Sequence, residues 1–322
     1  MTRCDLVIPV YNERDNLREL HRRIVEVFAP LPIHCSIILV DDGSDDGTAE
    51  IVEELADADA RVQFVSLTRN FGHQVALMAG LDHATGDCVI TMDGDLQHPP
   101  ELIPELLRLW GEGFKVVSTV RMDAGAASRF KRWTARAFYG MVNAMGDVRV
   151  EPGSADFRLL DQEVVRTLRR FPEKAKFLRG LVPWMGFATA SIPYQAERRY
   201  AGAPRYSLFK MVRFAGDGIT AFSSVPLRLA FYLGVLVSLA SFAYAVYAVS
   251  ARLRGGMTIP GWTSLVISVL FLGGVQLMFI GVLGEYVARI FDEVKNRPLY
   301  LVRKARLGRA LEAPTQAGVV DR

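Results

Sequence analysis

Two aspartates, Asp93 and Asp95, follow a short apolar run and stand two residues apart. Side chains at positions i and i+2 of a strand point to the same side, so both carboxylates can face one ligand. Carboxylate oxygens are hard ligands, and a small number of them suits Mg²⁺ or Mn²⁺ shared with a substrate diphosphate. The same Asp-Gly-Asp stretch also fits a solvated turn, so its meaning depends on polar residues elsewhere in the chain.

Polar residues follow three predicted strands, each at the point where an apolar run ends. They are residues 9–13 (Pro-Val-Tyr-Asn-Glu), 41–48 (Asp-Asp-Gly-Ser-Asp-Asp-Gly-Thr) and 93–95 (Asp-Gly-Asp). A nucleotide needs a ring to stack on, a carboxylate that accepts from a base N–H, and cation-backed phosphates. Tyr11, Asp42 and the Asp93/Asp95 pair offer these in turn. The stretch after Asp42 also fits a turn with a helix N-cap.

Residues 4 to about 120 alternate strand-like and helix-like patterns. The strand-like runs are continuously apolar, which is typical of a mostly parallel sheet covered on both faces. Open sheets of this kind bind ligands at the carboxyl ends of their strands, where the polar residues fall. We therefore predict an α/β, Rossmann-like domain, with a further short strand at 156–160.

Two stretches without charge, 229–250 and 255–284, follow the α/β region. Each is long enough to cross a hydrocarbon core of roughly 30 Å at about 1.5 Å per residue. Aromatic residues near their ends and a short basic connection favour two transmembrane helices over a pair of buried core helices. Segments 128–145 and 205–222 mix aromatic and basic residues, which is typical of amphipathic helices at an interface.

The three cysteines, Cys4, Cys35 and Cys88, lie in or beside apolar strand-like runs, and no two have metal-ligand spacing. We expect them to be reduced in a cytosolic domain, and we expect no secretory signal. The net charge of +3 is too small to indicate nucleic acid as a partner. Basic residues instead collect beside the apolar stretches, where they suit an anionic membrane surface and predict cytosolic termini.

Several stretches carry a family resemblance over about residues 5 to 210. They are 7–13, 41–48, 69–72, 92–101, 156–159, 179–181, 199–202 and 205–207. With them the chain resembles the inverting GT-A glycosyltransferases of family 2. More narrowly, it is similar to the branch that moves a sugar from a nucleotide to a polyprenyl phosphate, such as dolichyl-phosphate mannose synthase and bacterial undecaprenyl-phosphate glucosyltransferases. Gly94 replaces the family's frequent Ala, and Pro204-Arg205 replaces a common Ser-Lys.

The resemblance implies roles for individual residues. Asp93 and Asp95 would hold the metal, Mg²⁺ or Mn²⁺, with Asp95 the direct ligand. The nucleotide sugar would contact Pro9, Tyr11, Glu13, Asp42, Gly72, Asp93, Gly94 and Gln97. The acceptor phosphate would contact Arg121, Arg132, Arg199 and Arg205, because a planar guanidinium binds phosphate oxygens bidentately.

Asp156 is often assigned as the general base in this family. A lipid monophosphate has a second pKa of about 6, so most of it is already a dianion at neutral pH. We therefore expect Asp156 to orient the acceptor or its cationic partners, with base catalysis as the family's suggestion. His73 and His98 fit helix-cap or loop positions better than metal ligation.

The predicted organisation is a cytosolic GT-A domain (1–204), an amphipathic juxtamembrane segment (205–226), two transmembrane helices (227–290) and a cytosolic tail (291–322). The protein would be a multi-pass enzyme of the bacterial inner membrane and a homo-oligomer, a tetramer by family resemblance. It would transfer one hexose from UDP-glucose or a related UDP-sugar to undecaprenyl phosphate with inversion.

Three alternatives stay open. One is a GDP-mannose-dependent polyprenyl-phosphate mannosyltransferase. Another is a processive polysaccharide synthase, although Arg129 stands where the Gln-x-x-Arg-Trp motif of those enzymes needs Gln. The third is a catalytically silent membrane scaffold, which would not need Asp93, Asp95 and Asp156 together.

Overall fold

The computed structural model describes residues 2–122, 153–173, 178–195, 225–253 and 261–308. The chain divides into two compact units, Met1–Lys210 with Arg297–Arg322, and Met211–Asn296. The first unit contains a β-sheet with its covering helices, and the second contains two long helices.

Strands and helices alternate along the first unit. The strands are β1 (Arg3–Val10), β2 (His34–Asp41), β3 (Val62–Leu67), β4 (Cys88–Thr91), β5 (Val116–Arg121), β6 (Ser154–Asp161), β7 (Thr189–Tyr194) and β8 (Val302–Arg306). The helices are α1 (Leu17–Phe28), α2 (Thr48–Ala58), α3 (His73–His83), α4 (Ile103–Gly111), α5 (Gln162–Arg170) and α6 (Leu178–Trp184). Helix α1 buries its apolar positions at helical spacing, as a helix packed on a sheet requires: Leu17, Leu20, Ile24 and Phe28.

The described strands form one sheet in the order β7-β5-β6-β4-β1-β2-β3-β8. Strands β4, β1, β2 and β3 are mutually parallel, β7 is parallel to β5, and β6 is antiparallel to both β4 and β5. The prediction of an α/β fold with a mostly parallel sheet is therefore confirmed. Because β1, β2 and β4 run the same way, the residues that follow them meet at one edge of the sheet.

The centre of the sheet is covered on both faces, so its strands are apolar throughout. Cys4, Leu6, Val7 and Ile8 of β1 have no exposed surface. Helix α3 lies so close to β1 that a Cβ on Gly80 would stand 2.3 Å from Val7 Cγ1. Glycine in the middle of a helix is unfavourable in itself, and here the close helix–sheet contact explains it. This contact fixes the start of α3 relative to the strand ends.

Strand β8 corrects the prediction that residues 291–322 form a tail. Residues 302–306 pair antiparallel with β3, and the amide of Thr68 donates to the carbonyl of Leu301 at 2.9 Å. Tyr300 is buried and its hydroxyl donates to Asp82 Oδ2 at 3.0 Å. The pairing covers the edge of β3, which would otherwise leave backbone groups open. Residues beyond Gly308 lie outside the described residues.

The second unit contains helices α7 (Val225–Leu253) and α8 (Trp262–Val294). Their large apolar side chains face outward; Phe242 is 70% exposed and Leu277 is 71% exposed. Among the described residues, one stretch is both long enough and apolar enough to cross a membrane, the 24 residues Phe271–Val294 of α8. Ala230–Tyr244 of α7 is a shorter apolar stretch. Two spans over 227–290 therefore stay a prediction, and most of the predicted segment 205–226 lies outside the described residues.

Candidate active site

The turns after β1 and β2 are tied together by hydrogen bonds. The amide of Asn12 donates to Ser44 Oγ at 3.0 Å, and Asn12 Nδ2 donates to Asp45 Oδ1 at 2.8 Å. Asn12 adopts a φ of 56°, which asparagine tolerates better than most residues. The amide of Glu13 donates to Thr48 Oγ1 at 3.0 Å. These bonds leave Tyr11 39% exposed at the edge of the sheet, while Pro9 is buried inside β1.

Asp42 organises the loop that precedes α3. Its two carboxylate oxygens accept from the amides of Phe71, at 2.7 Å, and Gly72, at 2.8 Å. Burial raises the pKa of Asp42, and these two hydrogen bonds partly offset the rise. A side chain on Gly43 would place a Cβ 2.4 Å from the backbone carbon of Arg69, and its φ is +69°. The predicted contact of Asp42 with a base stays a prediction, beside this structural role.

The Asp93-Gly94-Asp95 turn brings the two predicted metal ligands to the same edge. The amide of Asp93 donates to Nδ1 of the buried His98 at 3.0 Å, and Asp95 Oδ1 accepts from the amide of Gln97 at 3.1 Å. Asp93 Oδ1 is buried and accepts no hydrogen bond from the residues that the structure describes, although His73 Nε2 lies 3.4 Å away. A buried carboxylate oxygen without a donor fits a cation.

No group of three or more His, Cys, Asp or Glu side chains suited to a metal occurs among the described residues. The Asp93/Asp95 carboxylates alone are too few to enclose a metal ion. They fit an ion that takes its remaining oxygens from a bound diphosphate and water, as Mg²⁺ does when it is shared with a substrate.

Gln97 and Arg121 link the predicted sugar pocket to a predicted phosphate ligand. Arg121 is the exposed last residue of β5, and its Nη1 donates to Gln97 Oε1 at 3.2 Å. The other three predicted phosphate ligands, Arg132, Arg199 and Arg205, lie outside the described residues. Gly72 and Gly94 lie in the loops already described; Gly72, with a φ of +101°, immediately precedes α3.

Asp156 lies on β6 and is buried, with 3% of its side chain exposed. Its oxygens accept from Arg158 Nη2 at 3.0 Å, Arg179 Nη2 at 2.9 Å and Gln74 Nε2 at 3.2 Å, and His73 Nε2 lies 3.5 Å away. We call these five residues the Asp156 cluster. Burial by itself would raise the pKa of Asp156, but the bond from His73 and the charges of Arg158 and Arg179 hold it well below its usual range. A carboxylate held this way is a weak base.

The sequence did not assign the partners of Asp156. Arg158 was detectable, because an i, i+2 pair on a strand shares a face with Asp156. Arg179 and Gln74 come from helices 23 and 82 residues away along the chain, and no local pattern joins them to Asp156. His73 begins α3, as a helix-cap position predicts, yet its ring also reaches Asp93. His98 is buried beside Phe157, with ring centroids 5.3 Å apart.

Two family models match the chain. The model for glycosyl transferase family 2 matches residues 5–169, which include most of β1, all of β2 to β6 and every acidic residue discussed above. The model for the GtrB C-terminal hairpin matches residues 225–290, which fall within α7 and α8 and the segment between them.

The chain is also similar over most of its length to curated proteins. An uncharacterized glycosyltransferase of Synechocystis sp. is 42% identical over 297 residues, which cover 92% of this chain and 93% of that protein. The SfII prophage-derived bactoprenol glucosyl transferase of Shigella flexneri is 41% identical over 306 residues, which cover 95% and 99%. Among solved structures, a mannosyltransferase of Pyrobaculum calidifontis in complex with GDP-Man and Mn²⁺ is 17% identical, with a TM-score of 0.47 over 92% of this chain and 88% of that one.

Proposed function

Because the chain belongs to glycosyltransferase family 2, as its motifs predict, we propose that it transfers one hexose from UDP-glucose or a related UDP-sugar to undecaprenyl phosphate with inversion. The oxygen of the lipid phosphate attacks the anomeric carbon, a new carbon–oxygen bond forms, and the bond to the nucleotide diphosphate breaks. UDP leaves, and the sugar ends on the lipid phosphate. The similarity to bactoprenol glucosyl transferases over nearly the whole chain supports this acceptor.

The donor would lie along the turns that follow β1, β2 and β4. Tyr11, exposed beside the Asn12–Asp45 turn, suits the base or ribose, with Pro9, Glu13, Asp42, Gly72 and Gly94 shaping the site. Gln97 would line the sugar pocket, where it is held by Arg121. Asp93 and Asp95 would hold Mg²⁺ or Mn²⁺, which supplies charge stabilisation on the leaving diphosphate.

The acceptor needs positioning more than deprotonation. The second pKa of a phosphate monoester is about 6, so the attacking oxygen is largely ionised at neutral pH. A strong base is therefore not required, and the lowered pKa of Asp156 suits a positioning role. Arg121, Arg132, Arg199 and Arg205 would bind the acceptor phosphate, with the reaction at the cytosolic membrane face. Helices within 227–290 would anchor the enzyme, which we propose acts as a homo-oligomer.

The observation that carries this proposal is the arrangement at one sheet edge: His73 Nε2 lies 3.4 Å from Asp93 Oδ1 and 3.5 Å from Asp156 Oδ2. The imidazole of His73 thus lies between two carboxylates, that of Asp93 in the turn after β4 and that of Asp156 on β6. Two substrates bound on either side of it would meet, which a transfer between them requires.

The test is to incubate the purified full-length protein with undecaprenyl phosphate and a panel of UDP- and GDP-linked hexoses, and to read the lipid product by mass. We expect one added hexose from a UDP-sugar. A product only from GDP-mannose would support the mannosyltransferase alternative, and a ladder of several hexoses would support a processive synthase. No product from any donor, in a sample that is folded, would contradict the proposed function.

A further inference from the structure

His98 closes the turn that carries the two predicted metal ligands. The amide of Asp93 donates to Nδ1 of His98 at 3.0 Å. A backbone amide can only donate, so Nδ1 carries no hydrogen and the neutral ring has its hydrogen on Nε2. That nitrogen lies 3.6 Å from Asp93 Oδ2. One imidazole therefore lies beside both the backbone and the carboxylate of Asp93.

The ring of His98 is itself held in place by two strands. It is 6% exposed and stacks on Phe157 of β6, with ring centroids 5.3 Å apart. It also packs at a steep angle against Tyr194 of β7, with centroids 5.9 Å apart. Both aromatic neighbours are buried. Because packing fixes the ring, Nδ1 keeps one direction and can fix the Asp93 amide in turn.

The same turn contains a strained residue. Leu96 adopts a φ of 61°, a conformation that bulky side chains rarely take. A residue in this region persists only where its surroundings hold it, and such residues concentrate at functional sites. Leu96 is 4% exposed and belongs to the hydrophobic core, and the bond between Asp93 and His98 joins the two ends of the turn around it. Core packing and this one hydrogen bond therefore hold the turn against its strain.

We propose that His98 is a positioning residue that clamps this turn, so that Asp93 and Asp95 are oriented before the cation and the diphosphate arrive. The inference rests on the proposed function, in which Mg²⁺ or Mn²⁺ stabilises the leaving diphosphate. His98 acts through Asp93 and contacts neither the ion nor the sugar. Groups that hold metal ligands in place typically change metal affinity by about 10- to 100-fold.

Two substitutions separate the hydrogen bond of His98 from the packing of its ring. His98→Phe keeps a ring against Phe157 but leaves the Asp93 amide without its acceptor. His98→Asn loses the ring but can keep an oxygen acceptor close to the position of Nδ1. His21→Asn is the matched control, because His21 of α1 pairs with Asp59, at the opposite end of α2 from the donor turn.

The affinity for Mn²⁺ is measured by calorimetry on the full-length protein, with UDP present and no acceptor. We expect His98→Phe to weaken Mn²⁺ binding about 10- to 100-fold, and His98→Asn and His21→Asn to stay within about threefold of wild type. Unchanged Mn²⁺ affinity in His98→Phe would overturn the inference. A loss in His98→Asn at least as large as that in His98→Phe would also overturn it, because packing of the ring would then explain both.

Hydrogen exchange tests the clamp without metal, substrate or turnover. In EDTA, the amide of Asp93, followed by mass spectrometry, should exchange about three- to tenfold faster in His98→Phe than in wild type, the range for one lost hydrogen bond. In His98→Asn it should exchange at close to the wild-type rate. If wild type makes no lipid-linked hexose but the variants show both patterns, the proposed reaction fails while the role of His98 stands. If wild type makes the product and His98→Phe binds Mn²⁺ as tightly, only the inference fails.

Discussion

The donor edge (residues 11–13, 41–46 and 93–97) and the Asp156 cluster use carboxylates in opposite ways. At the donor edge, carboxylates accept hydrogen bonds from backbone amides. Asp42 accepts from the amides of Phe71 and Gly72, and Asp95 accepts from the amide of Gln97. In the cluster, one acid accepts from side-chain cations, Arg158 and Arg179. The first pattern holds the loops that carry the predicted metal ligands. The second keeps a buried carboxylate ionised, since the pKa of Asp156 lies well below its usual range.

This difference also separates what the sequence predicts from what it does not. The donor edge lies in contiguous stretches at the ends of strands, so local pattern predicts that its polar residues lie together, and the family resemblance adds their individual roles. The partners of Asp156 depend on β6 running antiparallel between β4 and β5 and on the placement of α3 and α6. Strand β8 was missed because three of its five residues, Arg303, Lys304 and Arg306, are charged. Charged residues are common on edge strands and hide the apolar alternation that predicts a strand.

The largest effect is expected at the donor edge, from Asp95→Asn. Asparagine keeps the oxygen that accepts from Gln97, so the turn should persist, but it loses the charge that a hard cation needs. We expect transfer to fall below detection with the melting temperature within about 2 °C of wild type, since asparagine has nearly the same shape as aspartate and keeps the bond to the Gln97 amide. Activity of the wild type should disappear in EDTA and return with Mg²⁺ or Mn²⁺. Full turnover in chelator would remove the metal from the donor edge.

The next largest effect is expected in the cluster, from Asp156→Asn. Unlike Asp95→Asn, this change should lower the stability of the fold. Removing the charge leaves Arg158 buried without its counter-ion, which typically costs about 3–5 kcal/mol of unfolding free energy. We expect a large loss of both stability and acceptor binding, measured by denaturant unfolding and by the KM for undecaprenyl phosphate. Asp95→Asn is the matched comparison, because it makes the same chemical change on a carboxylate that binds a backbone amide.

The pH dependence of that stability difference follows from the direction of the pKa. Asp156 has a folded pKa well below its usual value, so its stabilising charge is fully present above the unfolded value of about 4 and is lost as pH falls through the folded pKa. Burial by itself would lower the pKa of His73, but its hydrogen bond to Asp156 and the charges of Asp93 and Asp156 raise it. Protonated His73 therefore adds to the stabilisation by Asp156 below about pH 6.5, and this part is lost as pH rises through the folded pKa of His73. The difference between wild type and Asp156→Asn should therefore be largest at about pH 5 and should decrease toward pH 8. A difference that shrinks as pH falls from 8 to 5 would mean that Asp156 titrates in that range, and would restore it as a candidate base.

The smallest expected effect tests whether the donor edge depends only on its own turns or also on strand β8. Arg303 of β8 places Nη2 3.5 Å from Asp41 Oδ2, a buried oxygen that accepts no hydrogen bond within the described part of the chain. The other oxygen of Asp41 accepts from the amide of Ser44 at 3.0 Å and so helps to hold the turn that carries Asp45. The Asp41 side chain is buried, but Arg303 is 51% exposed and the 3.5 Å separation is too long for a good hydrogen bond, so we expect the pair to contribute at most about 1 kcal/mol.

We therefore expect Arg303→Gln to weaken UDP binding by no more than about fivefold, the upper end of that range, with the KM for the acceptor unchanged. Arg306→Gln is the control, because Arg306 lies on the same strand but pairs with Asp57 of α2. A fall in UDP affinity for Arg303→Gln alone would show that a strand from the far end of the chain supports the donor site. Equal UDP affinity in both variants would mean that the donor edge depends only on its own turns. Dependence on residues far apart in the sequence would then be a property of the Asp156 cluster alone.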